Sequence, residues 1–178
     1  MKPHHIELLI PSEQVAARIS TMANEITRAL PKDLMVIALL RGSFVFTADL
    51  IRAFYASGTT PQVDFMTLES YGSGISSSGR VTVIRDITEN VEGRDVLLVD
   101  DILESGRTLA FAKKLIKERK PRSVNIAVML EKPGKRKVEI DADFVGFAIG
   151  DKFVVGMGLD YANFYRELPY IGAVAFDD

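Results

Sequence analysis

The residues with the clearest chemical potential form one acidic and polar string in the middle of the chain. It reads Asp-Asp-Ile-Leu-Glu-Ser-Gly-Arg-Thr over positions 100–108 and directly follows the mostly apolar run 95–99. The run predicts a buried strand that ends at the two carboxylates, and the spacing of apolar residues over 109–120 predicts a helix after the turn. Ligands of open α/β sheets bind beyond the carboxyl ends of the strands, so this string predicts a ligand site.

The two parts of the string favour two kinds of ligand group. The turn from Glu104 to Thr108 offers backbone N–H groups, two hydroxyls and Gly106 at a helix start, which together favour a phosphate. Asp100 and Asp101 repel a phosphate but accept hydrogen bonds from sugar hydroxyls, with a magnesium ion nearby. The string therefore predicts a ribose 5-phosphate site, in preference to the simpler interpretation that the carboxylates end a strand and a serine caps a helix.

The composition excludes several other kinds of chemistry. The 178 residues contain no cysteine, which excludes disulfides, thiolate metal sites and cysteine nucleophiles. The two histidines, His4 and His5, both lie near the N-terminus, so Ser-His catalysis and a histidine-rich metal site are disfavoured. A net charge of −2 argues against a dedicated nucleic-acid binder, which usually carries a basic excess.

The hydrophobic pattern predicts one soluble domain. A length of 178 residues fits a single domain, and 47% hydrophobic with 26% charged residues is ordinary for a globular enzyme. The longest apolar run, Leu34–Leu40, is far shorter than the ~20 residues of a transmembrane helix. No apolar stretch typical of a signal peptide follows Met1, so we expect a cytoplasmic protein without membrane contact.

Helices and strands are predicted to alternate along the chain. Apolar residues recur at helical spacing over 15–30, 44–57 and 109–120, with Ser12 as the expected N-cap of the first helix. Short apolar runs predict strands over 34–40, 63–68, 81–87, 95–99, 124–130, 144–149 and 153–155. Several of these runs are apolar on both faces, which indicates an α/β fold with a largely parallel sheet. The segment 70–79 is rich in serine and glycine and is predicted to be a mobile loop.

Several segments resemble one family of enzymes, in the same order along the chain. The string 100–108 resembles the phosphoribosyl-pyrophosphate (PRPP) motif of the type I phosphoribosyltransferases. The segment Leu39–Phe44 is similar to the pyrophosphate loop of their hypoxanthine-guanine branch, and 70–74 is similar to its flexible lid. The segments Asp151–Gly156 and Tyr165–Gly172 are similar to its purine-binding hood and C-terminal part.

The resemblance implies a fold and a domain organisation. It implies one type I phosphoribosyltransferase-like α/β domain over 1–178, in which helices flank a largely parallel twisted sheet. The core is expected over about 30–130. A small purine-binding hood is expected from the N-terminal segment and about 131–178, together with a flexible lid loop. A homodimer or homotetramer is implied in the same way.

The resemblance also implies a reaction and its principal residues. In such enzymes a 6-oxopurine attacks C1 of the ribose and displaces pyrophosphate, while magnesium neutralises the leaving group. Glu104 takes the position of the general base, where members commonly have aspartate. Lys132 takes the position that donates to O6 of the base, and Arg166 the position that contacts pyrophosphate. These three residues form the implied catalytic set.

The implied binding residues extend over most of the chain. The resemblance implies that Asp100 and Asp101 bind the ribose hydroxyls and that residues 105–108 bind the 5-phosphate. The complete PRPP set is Arg41, Gly42, Ser70, Tyr71, Asp100, Asp101, Ser105, Gly106, Arg107 and Thr108. The purine set is Lys132, Phe153, Val154 and Asp160, with Phe153 stacking on the ring. The implied magnesium ligands are Asp100, Asp101 and Asp160. The sequence does not show whether the Leu40–Arg41 peptide is cis.

The implied function is purine salvage, in which the 5-phosphoribosyl group of PRPP is transferred to N9 of hypoxanthine or guanine, giving IMP or GMP and pyrophosphate. Two alternatives stay open. The enzyme could prefer xanthine, or the fold could serve a regulator that senses PRPP or nucleotides and binds nucleic acid. The residues of the purine set and the slightly acidic net charge favour the enzyme. The basic run 135–137 is interpreted as a solvated turn.

Overall fold

The structure is a computed structural model that describes residues 2–70 and 81–176. Three helices and nine strands occur in these residues. In chain order they are β1 (His4–Ile10), α1 (Ser12–Ala29), β2 (Met35–Leu40), α2 (Phe44–Ser57), β3 (Gln62–Ser70), β4 (Val81–Arg85), β5 (Asp95–Leu103), α3 (Arg107–Lys117), β6 (Ser123–Glu131), β7 (Phe144–Ala148), β8 (Val154–Val155) and β9 (Ile171–Phe176).

A six-stranded sheet forms the centre of the molecule. Its order is β4-β3-β2-β5-β6-β7, and every neighbouring pair is parallel except β3 with the edge strand β4. The strands β2 and β5 lie in the middle of this sheet, and they are buried up to Leu39 and Asp100. Strands buried on both faces are mostly apolar, as β2 is throughout and β5 is over residues 96–99. The predicted α/β fold with a largely parallel sheet is therefore confirmed.

Helices cover both faces of this sheet. Val36 and Leu97 pack in the same hydrophobic cluster as the buried residues of α1 and α2, whereas Ile37 and Leu98 pack with those of α3. Because successive side chains of a strand point to opposite faces, the two clusters lie on opposite sides of the sheet. Full burial of each large apolar side chain contributes about 1.5–3 kcal/mol. The sheet is thus a firm support for the loops at its carboxyl edge.

A smaller sheet joins the two ends of the described chain. β1 pairs antiparallel with β9, and β9 pairs antiparallel with β8. Of these three strands, only β8 is predicted from the sequence. β1 contains exposed polar residues among its apolar ones, and both β1 and β9 depend on pairing between distant parts of the chain. Local hydrophobic pattern does not reveal such pairing.

The strand that carries the acidic pair is longer than predicted. β5 does not end before Asp100, because its ladder with β6 continues through the register pairs Asp100–Val128 and Leu103–Glu131. The prediction that the strand stops at the carboxylates is wrong. The backbone groups of β5 hydrogen-bond to β6 regardless of the polarity of the side chains. The two aspartates can therefore lie within the last part of the strand.

Helix boundaries also differ from the predicted ones. Pro11 occupies the N-cap position of α1 without a side-chain hydrogen bond, and Ser12 is already helical, so the predicted Ser12 cap is wrong. α3 begins at Arg107, two residues earlier than predicted, after Gly106 at φ +79°. Arg107 and Thr108 therefore belong to the first helical turn. None of the helices in 2–70 and 81–176 is long and apolar enough to cross a membrane.

Asp64 of β3 holds the loop that leads into β5. Its carboxylate accepts backbone N–H groups from Phe65 at 2.7 Å, Thr88 at 2.7 Å and Glu89 at 3.0 Å. Burial raises the pKa of Asp64, but the hydrogen bonds from Glu89, Phe65 and Thr88 outweigh burial and hold the pKa below its ordinary value. The ionised form is thus the one that the fold stabilises.

Acid is expected to weaken the fold partly through this carboxylate. A lowered folded-state pKa contributes stability above the unfolded pKa of about 3.9, and this stability is lost as the pH falls through the folded pKa. We expect Asp64→Asn to lower the free energy of unfolding by about 1–3 kcal/mol at pH 7, with a smaller difference from wild type below about pH 4. Urea unfolding at several pH values measures this. Asp141→Asn, at an exposed position, is the matched control. A constant difference across the pH range contradicts the prediction.

Candidate active site

Two loops meet at the carboxyl edge of the central strands. β2 and β5 are parallel neighbours, so the loop after β2 and the turn after β5 lie side by side. Between them is a cleft of about 280 Å³, lined by Leu39–Gly42, Asp100–Gly106, Thr108 and Leu109. The Leu40–Arg41 peptide at its edge is cis. The structure therefore brings most of the predicted PRPP residues into one cleft.

Gly42 lies directly against the acidic pair. A Cβ atom at this position would be 1.6 Å from Oδ2 of Asp101, so a side chain there requires the carboxylate or the loop to move. A Cβ atom at Gly158, which has φ +101°, would be 2.0 Å from the carbonyl oxygen of Gly42. The loop after β2, the end of β5 and the segment after β8 therefore pack on one another through two glycines. Gly158 is a site residue that the sequence prediction missed.

Asp100 and Asp101 form a carboxylate pair, in which Asp100 is buried and Asp101 is partly buried. Asp100 is 8% exposed, and one of its oxygens accepts the backbone N–H of Asp101 at 3.0 Å. Burial, followed by the neighbouring charge of Asp101, raises the pKa of Asp100 well above its ordinary value. Burial also raises the pKa of Asp101, although hydrogen bonding to Asp100 and the charge of Arg166 oppose the rise. A hydroxyl donor or a cation would favour the ionised pair.

The turn after the pair has the form of an anion cradle. Gly106 adopts φ +79°, which only glycine adopts easily, and a Cβ atom there would also lie 2.5 Å from Ile140. The first N–H groups of a helix have no partner within the helix, and α3 begins at Arg107. Ser105 and Thr108 add hydroxyls at the wall of the cleft. The Arg107 side chain is exposed and does not line it.

Glu104 and Lys132 form an ion pair beside the cleft. Lys132 Nζ donates to Glu104 Oε2 at 3.1 Å. The two residues follow the neighbouring strands β5 and β6, and the backbone N–H of Lys132 also bonds to the carbonyl of Leu103 at 3.0 Å. Lys132 is 7% exposed, whereas the Glu104 side chain is 47% exposed. Two members of the predicted catalytic set are therefore in contact.

Arg136 binds the backbone beneath this ion pair. Its guanidinium donates to the carbonyl of Leu103 at 2.9 Å, to that of Glu104 at 3.0 Å and to that of Ile140 at 3.2 Å, and it pairs with Glu131. The interpretation of the basic run as a solvated turn is wrong for this residue. A run of basic residues in sequence carries no signal that its middle member faces inward.

Loss of the hydrogen bonds from the Arg136 guanidinium is expected to disturb the turn that carries Glu104. A lysine at this position keeps the charge but not the planar set of donors. We expect Arg136→Lys to lower kcat about tenfold and the free energy of unfolding by about 1–3 kcal/mol. Kinetics and urea unfolding measure both effects. Lys137→Met is the control, since the Lys137 side chain is exposed and its backbone bond to Ser105 is unaffected by the change. Wild-type kinetics for Arg136→Lys would refute this role.

Two further predicted residues, Asp160 and Arg166, form a second group next to the cleft. Arg166 pairs with Asp160 at 2.7 Å and donates to the carbonyl of Gly158 at 2.6 Å. The other oxygen of Asp160 accepts the backbone N–H of Asn163 at 2.7 Å. This group does not line the cleft and joins it through the contact of Gly158 with Gly42.

Two residues of the predicted purine set lie at the smaller sheet, Val154 within β8 and Phe153 directly before it. Phe153 is 49% exposed, and its ring meets Tyr161 edge to face at 5.6 Å. Val154 is buried and pairs with Ala173. Ser70 is the last residue of β3, while Tyr71 and the rest of the predicted lid lie outside the described residues.

The donor set of the cleft fits a magnesium ion that is shared with a substrate. Mg²⁺ takes oxygen ligands and is usually held by one or two carboxylates together with substrate phosphates. Asp100 and Asp101 supply two carboxylates at the cleft. Over 2–70 and 81–176 no cluster of three or more acidic, histidine or cysteine side chains is arranged to hold a metal. Two carboxylates at one cleft match this shared mode of binding, in which substrate oxygens complete the metal's ligands.

Comparisons with known proteins agree with this geometry. Residues 8–162 match the family model of the phosphoribosyl transferase domain. The chain is 44% identical to the hypoxanthine phosphoribosyltransferase of Escherichia coli (strain K12) over 98% of both chains. It is similar to a crystal structure of a hypoxanthine-guanine phosphoribosyltransferase from Bacillus anthracis, with a TM-score of 0.90, 40% identity and coverage of 96% of this chain and 100% of that chain.

A second solved structure gives the same result. It is a hypoxanthine phosphoribosyltransferase from Staphylococcus aureus, with a TM-score of 0.88, 39% identity and coverage of 95% of this chain and 91% of that chain. The fold and the site thus define a phosphoribosyltransferase. The chain belongs to the phosphoribosyltransferase family, in the group of the hypoxanthine phosphoribosyltransferases, which are transferases.

Proposed function

We propose that the protein transfers the 5-phosphoribosyl group of PRPP to N9 of hypoxanthine, and also of guanine, in a magnesium-dependent reaction. The observation that carries the proposal is the convergence of three features at one sheet edge. These are Gly42 packed on the acidic pair, the anion cradle at Gly106 and the buried Lys132 paired with Glu104. Relatives with 39–44% identity carry the name hypoxanthine phosphoribosyltransferase.

PRPP would lie along the cleft with its phosphate at the start of α3. The N–H groups of the first turn and the hydroxyls of Ser105 and Thr108 bind the 5-phosphate. Asp100 and Asp101 accept hydrogen bonds from the ribose hydroxyls, and this places C1 of the ribose toward Glu104. Backbone groups at Arg41 and Gly42 face the pyrophosphate. Each assignment rests on the position of these residues around one cleft.

Lys132 would select a 6-oxopurine. A lysine ammonium has donors only, so it binds a carbonyl oxygen at C6 and disfavours the amino group of adenine. The ion pair with Glu104 and the low exposure of the Lys132 side chain restrict the position of the ammonium. Hypoxanthine and guanine share the 6-oxo group, which is why we include both. Phe153, half exposed at the smaller sheet, would stack on the ring.

Glu104 would accept the proton that the base releases. N9 attacks C1, the bond from C1 to the pyrophosphate oxygen breaks, and the electron pair leaves with pyrophosphate. The proton on N7 passes to the carboxylate, which keeps the purine neutral as the new bond forms. The ion pair with Lys132 keeps this carboxylate at the edge of the cleft, next to the donor for O6.

The departing pyrophosphate would be neutralised by cations. When bound, Mg²⁺ supplies charge neutralisation and a template for the pyrophosphate oxygens. Asp100 and Asp101 would hold it, and Asp160 is proposed to hold a second ion. The charge of Arg166 acts on the acidic pair, because it opposes the rise that burial causes in the pKa of Asp101, and Arg166 donates to the carbonyl of Gly158.

The alternatives from the sequence are not favoured. A xanthine-preferring enzyme and a nucleic-acid-binding regulator both remain compatible with the PRPP motif itself. The relatives reported above are named for hypoxanthine or for hypoxanthine and guanine. We also expect a homodimer or homotetramer, which sedimentation at several protein concentrations tests.

Nucleotide formation from separate bases tests the proposal. The protein is incubated with PRPP and Mg²⁺ and offered hypoxanthine, guanine, xanthine or adenine. We expect IMP and GMP to form, adenine to be inert, and EDTA to abolish turnover. Lys132→Met, which removes the donor for O6, should raise KM for hypoxanthine while PRPP still binds. PRPP binding without turnover of any base would overturn the proposal, and strong retention on heparin would then favour the regulator.

A further inference from the structure

His4 lies against the aromatic residues behind the proposed purine site. Its ring meets Tyr161 edge to face at 5.0 Å, and Tyr161 meets Phe153 edge to face at 5.6 Å. His4 also meets the ring of Tyr165 at 5.6 Å. Edge-to-face pairs contribute beyond the burial of their area and fix the relative orientation of the rings. A chain of three rings thus runs from β1 to the residue proposed to stack on the base.

Both ring nitrogens of His4 are engaged. Nδ1 lies 2.7 Å from the carbonyl oxygen of Lys2, and Nε2 lies 2.8 Å from the hydroxyl of Tyr165. A carbonyl oxygen only accepts, so Nδ1 carries the hydrogen, and Nε2 of the neutral ring accepts the O–H of Tyr165. Pairing of His4 with Phe176 across β1 and β9 fixes the backbone of His4. The hydroxyl of Tyr165 is therefore held from a fixed strand.

The segment that His4 holds has an unusual backbone. Ala162, Asn163 and Tyr165 have φ of +52°, +69° and +74°. Such conformations are costly for residues other than glycine and persist only where neighbouring contacts hold them. Tyr161 and Phe164 exchange two backbone hydrogen bonds at 3.0 and 3.1 Å. The side-chain bond to His4 adds a contact from a distant strand to the end of this segment, immediately before Arg166.

We propose that His4 is a positioning residue for the purine and pyrophosphate subsites. It acts through Tyr161 on the orientation of Phe153 and through Tyr165 on the segment that supplies Arg166. The inference rests on the proposed function for the identity of these subsites. It gives the N-terminal strand a part in substrate binding, although His4 touches neither substrate nor reacting atoms.

Two variants distinguish the hydrogen bond between His4 and Tyr165 from the ring contacts of His4. Tyr165→Phe removes only a hydroxyl, and His4→Phe keeps an aromatic edge but loses both ring nitrogens. For each variant we expect KM for hypoxanthine to rise about three- to tenfold while kcat changes less than twofold. The double variant should be no worse than the worse single variant, because both changes remove the same bond. His5→Ala is the control, since neighbouring strand residues point to opposite faces and His5 is exposed.

A second measurement does not depend on turnover. Amide hydrogen exchange over 161–166 is expected to be about fivefold faster in Tyr165→Phe and His4→Phe, and unchanged in His5→Ala. Unchanged exchange together with wild-type KM in both variants would overturn the positioning role. If wild type itself forms no nucleotide, the proposed function fails, and exchange over 161–166 still decides whether His4 holds the segment.

Discussion

Glu104→Gln is expected to lower kcat for hypoxanthine by about two to three orders of magnitude, with little change in the KM for PRPP. General base catalysis contributes about 10²–10⁴-fold, and an amide does not take up the proton from N7. Glutamine has the same length and its amide oxygen still accepts a hydrogen bond from Lys132. The substitution therefore removes proton acceptance while it keeps the contact that the structure shows at 3.1 Å.

Glu104→Asp separates the length of the side chain from its charge. Aspartate keeps a carboxylate but withdraws it by one methylene from Lys132. We expect kcat within about tenfold of wild type, since the proton acceptor is retained. Steady-state kinetics with each substrate varied measures both variants. Glu139→Gln, at an exposed position on another loop, is the control. A Glu104→Gln enzyme with wild-type kcat would show that this carboxylate is not the base.

Gly42→Ala is expected to weaken PRPP binding by at least about 100-fold. The added Cβ would lie 1.6 Å from Oδ2 of Asp101 and 2.6 Å from its Cγ, so either the loop or the carboxylate must move by more than an ångström. Displacement of either partner breaks the shared wall of the proposed pyrophosphate and ribose subsites, because both residues line the same cleft.

Calorimetric titration with PRPP and Mg²⁺ measures this effect directly. The matched control is Gly150→Ala, where an added Cβ meets no heavy atom within 4 Å, and we expect wild-type binding. Thermal unfolding of both variants shows whether the fold persists. A folded Gly42→Ala protein that binds PRPP as tightly as wild type would contradict the assigned pyrophosphate loop.

The sequence by itself determined the fold class and the kinds of polar group that line the proposed PRPP cleft. Runs that are apolar on both faces belong to central parallel strands, since only such strands are covered on both sides. The string 100–108 keeps carboxylates, glycine and hydroxyls within one strand-turn-helix unit. Local sequence is enough to place these groups together because the backbone connects them within a few residues. The helix Phe44–Ser57, closed by Gly58 at φ +73°, was predictable for the same reason.

Tertiary structure alone decided which distant groups touch. Glu104 meets Lys132 because β5 and β6 are neighbours, and Gly42 meets Asp101 because β2 and β5 are neighbours. Arg136 turns inward although its basic neighbours in the sequence indicate a solvated turn. β1 forms only by pairing with β9, and that pairing brings His4 to Tyr165. Residue type and periodicity report burial and local conformation, whereas these contacts depend on strand order and on the approach of the two chain ends.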